Sequence, residues 1–214
     1  GKDVGINGET AGLLIADVAT ENLHWTAMQR RVAIGCTQAL RDFAGSTDTI
    51  KLVSSDNAAE FVSTEFKDYL ASEGIHQTTC PPHVHQLNGV AERAVRSVME
   101  LVRVHLVASN LPVSFWAFAA QHAVDVLNCT TCPPNSELTC YEQFTGTKPK
   151  VMGILPLGCR VYALKPESQT QTTVPEARAW AGVNLGRSSR SPGAYKVWLP
   201  CLLYNSDAAD ENER

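Results

Sequence analysis

Residues 50 to 61 read Ile50-Lys-Leu-Val-Ser-Ser-Asp-Asn-Ala-Ala-Glu-Phe61. An apolar run this short, closed by two serines, is the pattern of a buried strand that stops at Asp56. Asp56 then stands at the open end of a sheet, where side chains leave the core and ligands collect. Working upstream, Gly12-Leu-Leu-Ile-Ala-Asp17 predicts a buried strand and Thr20-Glu-Asn22 a turn. The alternating Leu23-His-Trp-Thr-Ala-Met28 predicts its hairpin partner. Ile34, Leu40 and Phe43 fall at helical spacing, with Gly45 as the stop. Working downstream, Phe61 to Leu70 reads as a helix closed by Gly74, and Ile75 opens a short strand. The order is strand, strand, helix, strand, helix, strand, an α/β pattern.

Pro81-Pro82 break the chain, and Asn88 is the expected N-cap of a long helix to about Ser109 that carries Glu92 in its first turn. Pro112 opens a further helix containing Phe115, Trp116, Phe118 and Val124. The proline-bearing stretch 128 to 135 reads as a loop at the edge of the core. Beyond Pro149, the runs Arg160-Val-Tyr-Ala-Leu164, Ala179-Trp-Ala-Gly-Val183 and Ala194-Tyr-Lys-Val-Trp198 predict a small β-rich module. The expected organisation is a core at 1–135, a basic β-rich module at 136–204 and an acidic disordered tail at 205–214.

Bulk properties narrow the class. A chain of 214 residues holds one ordinary domain and a smaller appendage. With 44% hydrophobic and 19% charged residues, and no apolar run of bilayer length, a membrane protein is not expected. The chain starts with Gly and shows no secretory leader, so it reads as an excised piece that is not secreted. Seven cysteines, an odd number in a chain this long, point to a reducing compartment. The net charge of -4 hides an uneven distribution. Residues 1–140 hold 9 basic against 15 acidic side chains, residues 141–200 hold 8 against 3, and the last fourteen hold 1 against 4. A basic stretch behind an acidic body is compatible with DNA processing.

The acidic residues of interest are Asp3, Asp56 and Glu92. Asp3 precedes the Gly12 strand by a hairpin's length and is expected on a neighbouring strand. Carboxylates converging from two strands and a helix repel one another unless divalent cations neutralise them, and hard oxygen ligands suit Mg²⁺ or Mn²⁺.

These residues resemble a known family. Ser55-Asp-Asn-Ala-Ala-Glu-Phe61, Gly74-Ile-His76, Cys80-Pro-Pro-His83 and Gln86-Leu-Asn-Gly-Val-Ala-Glu-Arg93 are similar to the integrase catalytic cores of retroviruses and long-terminal-repeat retrotransposons, the copia-type elements most of all. In that family the second acidic ligand opens an Asp-Asn-Gly-Gly-Glu-Phe-like motif, and the third follows after 35 intervening residues within Asn-Gly-x-x-Glu-Arg. Residues 57 to 91, which number 35, separate Asp56 from Glu92. The first ligand lies one strand earlier on an Asp-Val-x-Gly-like stretch, which Asp3-Val-Gly5 matches. Asp17 is the alternative first ligand. Thr139-Cys-Tyr-Glu142, Thr145-Gly-Thr-Lys-Pro149, Gly158-Cys-Arg-Val-Tyr162 and Gly193-Ala-Tyr-Lys-Val-Trp198 extend the resemblance over most of the chain.

The resemblance implies a ribonuclease-H-like mixed sheet flanked by helices. It implies two Mg²⁺ or Mn²⁺ ions on Asp3, Asp56 and Glu92, and DNA 3′-end processing followed by strand transfer. The implied partners are the double-stranded DNA of element ends and target, and further copies of the chain in a homo-oligomer. The work is nuclear on DNA, and cytoplasmic within a polyprotein or particle. Arg93, Arg96 and Arg103 on the Glu92 helix are expected phosphate contacts, with Asn57, Gln86 and Asn88 as flanking polar positions. The loop 81–89 is expected to move.

Several features depart from the pattern. Ala58-Ala59 replace paired glycines, which is expected to stiffen or strain the turn after Asp56. His83 and His85 stand where relatives carry Tyr and Pro. A rival reading is a decayed or repurposed integrase that binds DNA or protein without cutting; another is a ribonuclease H acting on RNA–DNA hybrids. Cys129, Cys132 and Cys140 invite a zinc reading, but no fourth ligand stands at useful spacing. Trp116 and Phe118 are expected in the core.

Overall fold

The computed structural model describes residues 4–45, 50–79, 89–165, 178–188 and 193–200. Strand β1, Ala11–Ala16, pairs antiparallel with β2, Leu23–Met28, and Leu14 faces Trp25 across the ladder. Side chains alternate across a strand, and β1 uses both faces. Leu13 and Ile15 pack towards α1 (Ala33–Ala44) and α3 (Thr64–Ser72), with Met28, Cys36, Leu40, Phe66, Leu70 and Ile75. Leu14 and Ala16 pack the opposite way onto α4 (Gly89–Ser109) and α5 (Trp116–Thr130), against Val98, Val102, Ala123 and Val124. Gly12 is required here, because a Cβ on it would sit 2.0 Å from the Trp25 indole.

Strand β3, Leu52–Ser55, runs parallel to β4, His76–Thr79, with Ser55 opposite Thr79. Val53 and Ile50 join the same layer as Leu13 and Ile15. The expected single mixed sheet is not continuous: the described strands form two two-stranded sheets and a third of three strands. The strand expected to carry Asp3 lies outside the described residues. The helix expected from Phe61 to Leu70 is two, α2 (Ala59–Val62) and α3, because Ser63 is extended and its hydroxyl accepts from Phe66 N at 3.3 Å, capping the second. Gly74 closes α3 with φ +69.

The loop expected from residue 128 is also corrected. Helix α5 continues to Thr130, with Asn128 and Cys129 buried. Its reason is a bond the sequence does not show, between the Asn128 amide and the backbone of Leu23. Phe115 lies in a short 3₁₀ turn, Val113–Phe115, and is buried, while Phe118 is half-buried. Trp116 meets Trp25 edge to face at 6.0 Å, in the core as expected.

After the short helix α6, Cys140–Thr145, a strap carrying the 3₁₀ turn Val151–Gly153 leads into β5 (Arg160–Leu164), β6 (Ala179–Arg187) and β7 (Tyr195–Trp198). These form one antiparallel sheet in the order β5-β6-β7. It rests on α5 through β6, and Trp198 meets Phe115 at 5.1 Å. No helix among the described residues is long and apolar enough to cross a membrane.

Candidate active site

Asp56 follows directly on β3, and its side chain is exposed. Its Oδ1 accepts from Ala58 N at 3.1 Å, folding the chain back into α2. The strain expected from Ala58-Ala59 is absent: Ala58 has φ -63 and ψ 148, ordinary extended backbone open to any residue, and Ala59 begins α2. Asn57 is exposed beside it.

Gln77, on β4, braces this turn and was not singled out in the sequence. Its Nε2 donates to Phe61 O at 2.9 Å and lies 3.3 Å from Ser55 Oγ. It thereby ties the residue before Asp56 to α2, the helix that follows the turn. The available signal was a long amide in a four-residue strand; its reach across the parallel register was not readable.

Glu92 is exposed in the first turn of α4. There a carboxylate is favoured by the helix dipole. Arg96 follows one turn later, and Arg103 returns to nearly the same stripe after three turns; both are exposed, as is Arg93. Arg93 folds back towards Gly89, its Nη1 3.5 Å from where a Cβ there would stand. Topology brings the end of β4 to the edge where Asp56 stands, because β3 and β4 are parallel and Ser55 is level with Thr79. Asp3, Gln86, Asn88 and the loop 81–88 lie outside the described residues. Among the described residues no three His, Cys, Asp or Glu side chains are grouped to hold a metal.

Asp17 has a different occupation. Its Oδ2 accepts from Thr20 N at 2.8 Å and from Thr20 Oγ1 at 2.7 Å, so its carboxylate organises the turn between β1 and β2. Cys132 is exposed, while Cys129 and Cys140 are buried and burial pushes both thiols up. Cys140 also contacts Thr131 Oγ1 at 3.3 Å.

The fold has counterparts among solved integrase catalytic cores. The fold resembles the HTLV-2 integrase catalytic core domain, solved in complex with magnesium, at a TM-score of 0.51 and 19% identity, covering 60% of this chain and 80% of that one. It also resembles the catalytic core of BIV integrase, at 0.52 and 18%, covering 63% and 85%. Against a simian T-cell lymphotropic virus intasome in complex with a PP2A regulatory subunit the score is 0.56 at 16% identity, covering 88% and 69%. In sequence the chain is 32% identical over 151 residues to the retrovirus-related Pol polyprotein from transposon TNT 1-94 of Nicotiana tabacum, across 71% of this chain and 11% of that protein. It is 32% identical over 108 residues to the Pol polyprotein from transposon RE2 of Arabidopsis thaliana, across 50% and 7%. No family model matches. The chain spans about a tenth of the length of the curated relatives it matches. The sequence relatives are retrovirus-related Pol polyproteins of transposons and the fold neighbours are integrase catalytic cores, which together support a retrotransposon integrase core.

Proposed function

We propose that this chain is a DNA strand-transferring integrase core with a ribonuclease-H-like architecture, in which Asp3, Asp56 and Glu92 hold two Mg²⁺ or Mn²⁺ ions. The observation that carries the reading is the setting of Asp56 and Glu92. One carboxylate follows the end of a strand whose last residue, Ser55, is buried though Leu52 and Ser54 are exposed, contrary to the buried strand expected; the other opens a long helix, both are exposed, and the family's interval separates them. Hard oxygen donors fit such ions. Bound there, the ions supply charge neutralisation and a polarised oxygen nucleophile for in-line displacement at a phosphodiester. Asp17 is already committed to its own turn, which supports Asp3 as the first ligand.

The chain's own residues then position the substrate. Arg96 and Arg103 offer charge-assisted hydrogen bonds to phosphates along the stripe that begins at Glu92. Arg93 serves a flanking phosphate, and Asn57, Gln86 and Asn88 orient the DNA end. Residues 1–135 form the catalytic core, 136–204 a basic module that adds grip, and 205–214 an acidic tail. Element ends and target are duplex DNA, brought together by a homo-oligomer; the work is nuclear, with a cytoplasmic stage inside a polyprotein or particle.

The test is Mn²⁺-dependent joining of a model duplex end by Asp56→Asn and Glu92→Gln variants, with circular dichroism as the folding control. Both variants should lose joining while keeping the fold. Unchanged joining by either one sinks the assignment. Cleavage of duplex DNA in preference to an RNA–DNA hybrid separates this reading from a ribonuclease H, and metal-independent DNA binding without turnover would favour a repurposed module.

A further inference from the structure

Away from the carboxylates, a buried polar chain joins the helices to the C-terminal sheet. His122 on α5 is 5% exposed; its Nε2 lies 2.9 Å from Leu155 O and its Nδ1 lies 3.3 Å from His105 Nε2 on α4. The two rings stand at 89°, with centroids 4.6 Å apart. A carbonyl only accepts, so His122 Nε2 carries the proton. Its Nδ1 is therefore the lone-pair side, and His105 Nε2–H donates to it. The direction of the chain is thus fixed as His105 to His122 to Leu155. Leu155 O also accepts from Asn184 Nδ2 at 3.2 Å, and the same amide donates to Pro156 O at 3.0 Å. Asn184 lies on β6 and is fully buried.

The rest of the strap belongs to the sheet. Arg187 Nε donates to Gly153 O at 3.1 Å, and Tyr195 OH donates to the same oxygen at 2.7 Å. Gly158 N and Asn184 O, then Asn184 N and Cys159 O, close the strap onto β6. Strap and sheet are therefore joined as one piece, and the His122 hydrogen bond ties that piece to α4 and α5, beside the packing of Leu157, of Trp198 on Phe115 and of Gly158 against Ser109.

We propose that the His105–His122 pair is a proton-operated latch between the helical core and the strap–sheet unit. The pair tolerates no added proton or one, since a single proton still leaves one N–H pointing at one lone pair. A second proton sets N–H against N–H and opens the contact. Asp125 lies about one turn on from His122; burial pushes it towards its neutral form, and the bond from Gln121 and the charges of His122, Arg187 on β6 and Lys196 on β7 act against that shift. Burial, then His122, holds His105 below the ordinary imidazole value of 6.5. Acidification below that value drives the pair towards its doubly protonated, open state and loosens the sheet.

Amide hydrogen exchange of the full chain, corrected for intrinsic rates, tests this at about pH 7.5 and about pH 5, on either side of the ordinary imidazole value. Amides of β5, β6, β7 and the strap should exchange about ten-fold faster at the lower pH, a larger gain than those of α1 and α3 show. His105→Gln keeps a partner for either protonation state of His122, because its amide both donates and accepts, and should abolish the pH response. The latch is overturned if the sheet keeps its protection at low pH, if α1 and α3 lose theirs in step with it, or if His105→Gln responds as the parent does. Neither Asp56 nor Glu92 enters the measurement, so its outcome is separate from that of the joining assay.

Discussion

Asn128 clamps Leu23 at both backbone groups: its Oδ1 accepts from Leu23 N and its Nδ2 donates to Leu23 O, each at 2.8 Å. One amide thus fastens the start of β2 to α5, at a place where both residues are buried. Asn128→Ala strands a donor and an acceptor away from water, which costs about 2–4 kcal/mol. Urea unfolding should show this as a lower midpoint with an unchanged slope, and Asn128→Asp, which sets a buried carboxylate oxygen against Leu23 O, should fall at least as far. A midpoint equal to the parent's would refute the clamp.

Gly158 has φ +77, and a Cβ on it would stand 2.3 Å from Ser109 Cβ. Both the conformation and the space exclude a side chain, so Gly158→Ala should destabilise by about 2–4 kcal/mol. Pairing it with Ser109→Gly should recover only the clash with Ser109 Cβ, leaving the backbone strain and the crowding of Ser109 Cα and O.

Gln77 offers a probe of the Asp56 turn that leaves the carboxylate intact. Removing its bonds to Phe61 O and Ser55 Oγ in Gln77→Ala frees the turn. If Asp56 binds metal as proposed, Mn²⁺ affinity measured by calorimetry should drop about ten-fold, as losses of supporting contacts commonly produce. Full affinity in a turn shown to be loosened would count against the proposed site.

Acid should weaken the fold in a defined window. Burial lowers the pKa of His24, opposed by Asp42, and of His105, reinforced by His122. The unfolded chain takes up these protons near 6.5 while the folded one resists, so stability is full above 6.5 and declines as pH falls below it. Asp125 works in the opposite sense. Burial raises its pKa above 3.8, so the folded state keeps that proton longer and loses stability as pH rises through that region. Thermal melts from pH about 7.5 downwards should show a falling midpoint below the imidazole range, and Asp125→Asn should melt higher than the parent at neutral pH. A midpoint that climbs on acidification from 6.5 would contradict the histidine assignments.

Thiol reactivity should follow exposure. Cys36 is buried and its pKa is pushed up to about 11, first by burial and then by Glu60. Cys132 is exposed. Peptide mapping after brief alkylation should find Cys132 modified well before Cys36, Cys129 or Cys140; early labelling of Cys36 would show that α1 opens.

The amino-acid sequence by itself determined the elements whose signals are local. The apolar run of β1, the alternation of β2, the glycine stop at Gly74, the run ending at Asp56 and the interval to Glu92 are all legible along the chain, because side-chain periodicity and turn chemistry act over a few residues. Tertiary structure decided what depends on residues far apart. Asn128 stays helical because it meets Leu23, Gln77 braces a turn it does not belong to, Asp17 is occupied by Thr20, and Ala58 fits a turn that the glycine pattern led us to expect strained. Buried amides and imidazoles bond to whatever backbone packing brings to them, and packing is fixed by the whole chain rather than by its neighbours in sequence.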